Sequence, residues 1–119
     1  MPLVVMHCKQ DRLLPDMIQK LAQELPVIVS RALHVEENPA GHLGPRHIEV
    51  RVTESSSYDV NISDVAITVW ANLYPERLAN LDERREKILA GMRDVLRDYD
   101  RDIEGDAWVL LQAGSFGKL

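Results

Sequence analysis

Leu3 to Cys8 is an unbroken, valine-rich apolar run, the pattern of a buried strand. After the polar stretch Lys9 to Arg12, Pro15 suits the first position of a helix. Met17, Ile18, Leu21, Leu25, Ile28, Val29, Ala32 and Leu33 then recur at three- and four-residue steps, which predicts an amphipathic helix. Pro26 falls inside this pattern without changing its phase. Because proline removes a backbone donor, the expectation is a kink or a tight break between two collinear pieces. Glu36 to Pro45, dense in Pro and Gly, reads as loop.

His47 to Thr53 alternates, with Ile48, Val50 and Val52 on one face and His47, Glu49, Arg51 and Thr53 on the other, as a strand with one wet face does. Val65 to Leu73 is a third strand. Asn80 with Glu83 has the form of a capping box, opening a second helix whose apolar stripe is Leu81, Ile88, Leu89, Met92, Val95 and Leu96. Arg84 and Arg85 are expected on its wet face. The acidic stretch Asp98 to Asp106 ends that helix, and Ala107 to Ala113 is a last strand. The order is β-α-β followed by β-α-β, a pseudo-repeat of pattern over 1–57 and 58–119 within one domain spanning 1–119. Two helices with one apolar stripe each can share one face of a four-stranded mixed sheet, so the predicted class is a two-layer α+β domain. The other face, carrying Trp70 and the charged side chains of the second strand, then meets solvent or another subunit, and a symmetric oligomer is the usual solution.

At 119 residues and 13.5 kDa the chain is one domain's worth, with no room for a separate cofactor domain. Fourteen Lys and Arg against 19 Asp and Glu leave a net charge of −5, which argues against nucleic acid and anionic membrane surfaces as partners. The single Cys8 excludes an internal disulfide and a Cys-rich zinc site, and the N-terminal apolar run is too short for a signal peptide or a membrane span. A cytoplasmic location is the expectation.

Several motifs fail on their own chemistry. His47 and Glu49 form an H-x-E without the downstream cysteines of a zinc deaminase. Gly114 to Lys118 has too short a glycine spacing for a P-loop and no Ser or Thr after the lysine. His7, His34, His42 and His47 are scattered over a strand, a helix end, a loop and another strand, so no metal is expected. Cys8 in a buried strand is expected to pack as a small hydrophobe.

Pro2 is different. A small residue after the initiator methionine permits its removal, and the chain would then begin with a secondary amine held at the start of a strand. An α-amino group titrates near ~8, and an apolar pocket or nearby guanidinium groups depress it further, which suits a general base at neutral pH. With Met1 in place that nitrogen is a tertiary amide without a basic lone pair, so this chemistry requires processing. Arg46 opens the second strand and Arg77 lies between the third strand and the second helix. Both are at element ends, where the rim of a pocket would be. Arginine suits carboxylates because its planar fork donates two parallel hydrogen bonds. The alternative for each is a solvated surface arginine.

Met-Pro followed directly by PLVVMHC as a first strand, PRHIEVRV as a second, VAITVWANL as a third and RLANLDERREKILAGMRDVL as the last helix and its lead-in resembles the tautomerase superfamily. The chain looks most like its 5-carboxymethyl-2-hydroxymuconate isomerase group, with the macrophage migration inhibitory factor group more distant. The resemblance implies a cofactor-independent keto-enol tautomerase in which Pro2 is the catalytic base and Arg46 and Arg77 hold a small carboxylated enol or unsaturated keto acid. It also implies a homotrimer and a place in aromatic-compound catabolism. Two other readings stay open: related hydratase, dehalogenase or decarboxylase chemistry in the same pocket, and a non-catalytic oligomeric binding module.

Overall fold

The computed structural model describes residues 2–99 and 102–119. The expectations for Met1 and for the middle of the acidic stretch therefore fall outside the described residues. Strand β1 (Leu3–Cys8) leads to helix α1 (Pro15–Leu33), and two single 3-10 turns (Pro39–Gly41 and Pro45–His47) lead to β2 (Glu49–Glu54). Strand β3 (Val65–Asn72) is followed by a short helix α2 (Pro75–Ala79), by α3 (Leu81–Leu96) and by β4 (Gly105–Gln112). The sheet order is β2-β1-β3-β4. The outer pairs are parallel and the central β1–β3 pair is antiparallel, so each β-α-β unit supplies one parallel pair and the two units join through their first strands.

Side chains of β1 and β3 divide by alternation. Val4, Met6, Cys8, Val65, Ile67, Val69 and Ala71 point to the helices and are buried, against Leu21, Leu25, Val29 and Leu33 of α1 and Ile88 and Met92 of α3. Leu3, Val5 and His7 lie on the other face, in register with Trp70, Thr68 and Ala66 of β3. Glu49, Arg51 and Thr53 flank them on β2, and Trp108 and Leu110 on β4. Among the described residues no helix covers this second face: Trp70 is 36% and Trp108 66% exposed.

Several local features differ from the sequence reading. Helix α1 runs unbroken through Pro26. The proline removes one donor, to the Ala22 carbonyl, and the apolar stripe on both sides stays packed on the sheet. Asn80 precedes α3 but does not cap it; its Oδ1 accepts from Arg84 Nε at 2.6 Å instead. Arg84 is not on a wet face. It is 9% exposed and donates through Nη1 to the carbonyls of Ala32 (3.1 Å) and His34 (3.0 Å) and through Nη2 to that of Glu76 (3.3 Å). These are the unpaired carbonyls at the C-terminal end of α1 and in the α2 turn, so the charge is buried among fixed acceptors. Among the described residues no helix is long and apolar enough to cross a membrane.

Candidate active site

Pro2 is buried one residue before the first paired position of β1, and its carbonyl accepts from Glu49 N at 3.1 Å, which pins the start of β1 to the start of β2. Leu3 of the same strand lines a cleft of about 390 Å³. Trp70, Ala71 and Asn72 at the end of β3, Gln112 of β4 and Gly114, Ser115 and Phe116 of the tail form the rest of its wall. The cleft is therefore apolar and aromatic on the sheet side, with neutral amide and hydroxyl groups at its edge.

Arg46 belongs to the same end of the sheet. It stands on the 3-10 turn that delivers β2, and that turn is held by its own loop: Gly44 N donates to His47 Nδ1 at 2.8 Å and Ile48 N to the Pro45 carbonyl at 3.1 Å. The loop before it is tied across to β3 by Tyr74, whose hydroxyl donates to the Ala40 carbonyl at 3.3 Å. Arg46 itself is exposed and makes no ion pair among the described residues.

Arg77 also comes to this end of the sheet, yet it is not on a rim. It is 2% exposed; Nε donates to the Leu33 carbonyl at 2.9 Å, Nη1 to the Asn72 carbonyl at 3.0 Å, and the guanidinium lies 4.8 Å from the centre of the Tyr74 ring. Burial pushes its pKa down, opposed by Tyr74, reinforced by the neighbouring Arg84 charge and opposed again by Glu76. As placed, Arg77 ties the last turn of α1 to the end of β3 and so fixes Asn72 in the cleft wall. The topology brings Pro2, Arg46 and Arg77 to one corner, with only Arg46 offering its guanidinium to solvent.

The remaining candidates resolve as follows. Cys8 is 1% exposed, and burial, then the Glu54 charge, pushes its thiol up, away from a reactive thiolate. His34 and His42 are not scattered. Their rings stack with centroids 4.9 Å apart, and with Glu36 they could offer three ligand atoms to a metal. The hydrogen bonds speak for a different state. His34 Nδ1 accepts from Leu43 N at 2.9 Å, so its proton is on Nε2, which donates to Glu36 Oε2 at 2.8 Å; His42 Nε2 donates to the Glu36 carbonyl at 2.9 Å. Protons thus occupy both Nε2 positions, and the group is a loop latch that steadies the segment before Arg46. Sequence periodicity had no means of pairing these residues, because the loop path through the first 3-10 turn brings them together.

No family model matches the sequence, and no curated protein matches it. Solved structures do match in fold. A 5-carboxymethyl-2-hydroxymuconate delta-isomerase superposes with a TM-score of 0.66 at 13% identity, covering 100% of this chain and 88% of that one. A malonate semialdehyde decarboxylase that also has hydratase activity gives 0.61 at 15%, over 98% and 91%. A fused 4-OT solved as a symmetric trimer gives 0.59 at 15%, over 93% and 85%. The chain has the α+β fold of the tautomerases and of macrophage migration inhibitory factor, as its Met-Pro start and doubled β-α-β order imply.

Proposed function

We propose that this chain is a cofactor-independent keto-enol tautomerase acting on a small carboxylated enol or unsaturated keto acid, with Pro2 as the base once Met1 has been removed. The observation that carries the reading is the position of Pro2: buried at the head of a central strand, next in the chain to Leu3 of the cleft wall, with the exposed Arg46 leading into the neighbouring strand. Burial disfavours the ammonium and leaves the amine free to take a proton near neutral pH. Proton transfer runs from the enol hydroxyl or an α-carbon to the Pro2 nitrogen and back to a neighbouring carbon, so the reaction is an isomerisation that consumes nothing. Arg46 anchors a carboxylate and steadies the dienolate charge as it develops. Arg77, the second arginine expected at the carboxylate, contributes by holding the Asn72 wall of the cleft.

The bare sheet face, with Leu3, Val5, Trp70, Trp108 and Leu110, supports a homotrimer built through it, and a fused 4-OT of like fold is a trimer. Net charge −5 argues against nucleic acid or an anionic membrane as partner, and a cytoplasmic location fits the lone free Cys8.

The test compares processed and Met-retaining protein on phenylenolpyruvate. Processed protein is expected to turn over, with kcat/KM rising with pH through a limb below ~8, and the Met-retaining form to be inactive. Equal activity of the two forms overturns the proline mechanism. Activity confined to hydration or decarboxylation would move the reading to the neighbouring chemistry known in the decarboxylase of this fold.

A further inference from the structure

Arg46 can hold a carboxylate only while the turn that carries it keeps its shape, and that turn is closed by a side chain. Gly44 and His47, at its two ends, bond to each other in both directions: His47 N donates to the Gly44 carbonyl at 3.0 Å, and Gly44 N donates to His47 Nδ1 at 2.8 Å. The second bond is the returning half of a capping box, made to a ring nitrogen instead of a carboxylate oxygen. It needs a lone pair on Nδ1, so this ring is neutral, with its proton on Nε2. A protonated ring carries N–H on both nitrogens and sets one of them against the Gly44 N–H. The preceding amide is held in the same way, Leu43 N donating to His34 Nδ1 at 2.9 Å, so two consecutive amides ahead of Arg46 end on imidazole lone pairs. His47 differs from His34 in standing on the turn itself, next in the chain to Arg46.

We propose, resting on the reading of Arg46 as the carboxylate anchor, that His47 is its positioning residue and that only the neutral imidazole does this. Protonation then acts on a bound carboxylate in two opposed ways. It adds a positive charge to the turn, which by itself strengthens binding, and it removes the bond that orders Arg46, which weakens it. A charge at an open corner is screened by water and salt, whereas the two parallel bonds of a guanidinium fork depend on its orientation. The loss dominates, and carboxylate affinity falls as pH drops through the imidazole range of about 5 to 8. The charged groups around the turn are Arg46, the Glu49–Arg51 pair of β2, Glu36 and Glu37 of the preceding loop and, on α1, which packs against the turn, the Lys20–Glu24 pair, Arg31 and at its far end Asp16. Carboxylates, lysines and arginines ordinarily titrate outside that range. The groups of a kind that titrates within it are the processed Pro2 amine, His34 and His42. Protonating the amine strengthens anion binding, so a fall in affinity on acidification distinguishes His47 from Pro2.

The experiment uses the processed full chain in its native assembly with hydrocinnamate, which has the ring and carboxylate of phenylenolpyruvate but no enol, so that binding is read without turnover. Affinity and the assigned Gly44 amide and imidazole resonances are followed by NMR between about pH 5.5 and 8. The Gly44 amide is expected to move with the His47 ring, and wild-type affinity to fall on acidification. At about pH 8, His47→Ala should weaken binding roughly 3- to 10-fold, the effect of one lost hydrogen bond, and should have no effect when Arg46→Ala is already present. His47→Asn, whose Oδ1 can accept from Gly44 N at every pH, should bind within about twofold of wild type at the upper end and lose the weakening in acid. Hydrocinnamate needs no basic amine, so failure of the Pro2 mechanism, seen as equal turnover of processed and Met-retaining protein, leaves this result readable. Equal affinity of wild type and His47→Ala, a Gly44 amide that follows His34 instead of His47, or undiminished acid weakening in His47→Asn overturns the proposal.

Discussion

Pro2 and Asp64 hold matching positions, each one residue before the first paired residue of a central strand, Leu3 of β1 and Val65 of β3. Because those strands are antiparallel, the two lie at opposite ends of the sheet. At the Asp64 corner the polar groups are tied together. Asp64 Oδ2 accepts from Glu104 N at 2.9 Å and lies 3.3 Å from Arg12 Nε, while the Asp64 carbonyl accepts from Lys9 N at 2.8 Å. Ser63 and Asp106 pair beside them. Clefts open at both ends of the sheet, along Leu3 and Trp70 at the Pro2 end and along Cys8 and Leu13 at the Asp64 end; what sets the Pro2 corner apart is Arg46, which faces solvent with no ion pair among the described residues. The internal symmetry of the backbone thus yields one corner whose polar groups are spent on each other and one that the proposed function uses. Only the Pro2 corner can present an amine, and only once Met1 is removed, since the nitrogen of Asp64 is a mid-chain amide.

The contrast can be broken most severely from behind the Pro2 corner, at the two buried arginines. Arg84→Ala leaves the carbonyls of Ala32, His34 and Glu76 without their donor, and Arg77→Ala does the same to Leu33 and Asn72. Each substitution should cost about 3–5 kcal/mol in urea unfolding, from several unsatisfied buried acceptors together with the lost volume. Loss of under ~1 kcal/mol would mean that water satisfies those carbonyls and that the arginines are not the tie.

These arginines also mark where sequence stops being legible. The strands β1, β2 and β3 follow from valine runs and strict alternation, and the helices from apolar residues at helical spacing. Those signals are local, and each sits within one element. Arg84 looks like a wet-face residue by the same rule, because periodicity assigns a charge to solvent. Two of its acceptors, the carbonyls of Ala32 and His34, lie 50 and more positions earlier at the end of α1, visible only once the units are folded together. Arg77, expected at an element end on a pocket rim, sits inside the short helix α2 and is buried behind the cleft wall. Pro26 shows the opposite limit: a strong local breaker overridden by the burial of Leu21, Leu25 and Val29 on either side of it.

At the Pro2 corner, Arg46→Ala should lower kcat/KM on a carboxylated enol by on the order of 2–4 kcal/mol, about 30- to 1,000-fold, with little change in stability. Arg46→Lys should recover only a small part, since an ammonium lacks the planar fork. The pairing with Arg77→Ala separates the two roles: one variant loses rate and keeps its fold, the other loses fold. Unchanged turnover in Arg46→Ala would remove this solvent-facing arginine from the proposed site.

At the Asp64 corner, Asp64→Ala should cost about 2 kcal/mol, because it strips the Glu104 amide of its acceptor and Arg12 of an ion partner at a site only 9% exposed. Turnover in the cleft should not change, since the sheet separates the two corners. A rate loss matching that of Arg46→Ala would show that the corners are coupled through β1 and β3.

The smallest expected effect lies where the helices of the two units meet. A Cβ at Gly91 of α3 would stand 2.8 Å from Ile28 Cγ2 and 2.9 Å from its Cγ1, closer than packed atoms tolerate. Alanine improves the helix itself by about 1 kcal/mol, while displacing a β-branched side chain from a packed seam costs about 1–3 kcal/mol. Ile28 is half-buried and can yield part of the way toward solvent, so Gly91→Ala should be destabilising by about 1 kcal/mol net. Pairing it with Ile28→Val or Ile28→Ala makes the measurement diagnostic. If the close approach is real, trimming Ile28 relieves the clash and exposes the helix gain, so the double variant should be more stable than Ile28→Ala alone. Strict additivity of the two changes would place the helices farther apart than they stand here, and would leave the glycine with no packing reason to be there.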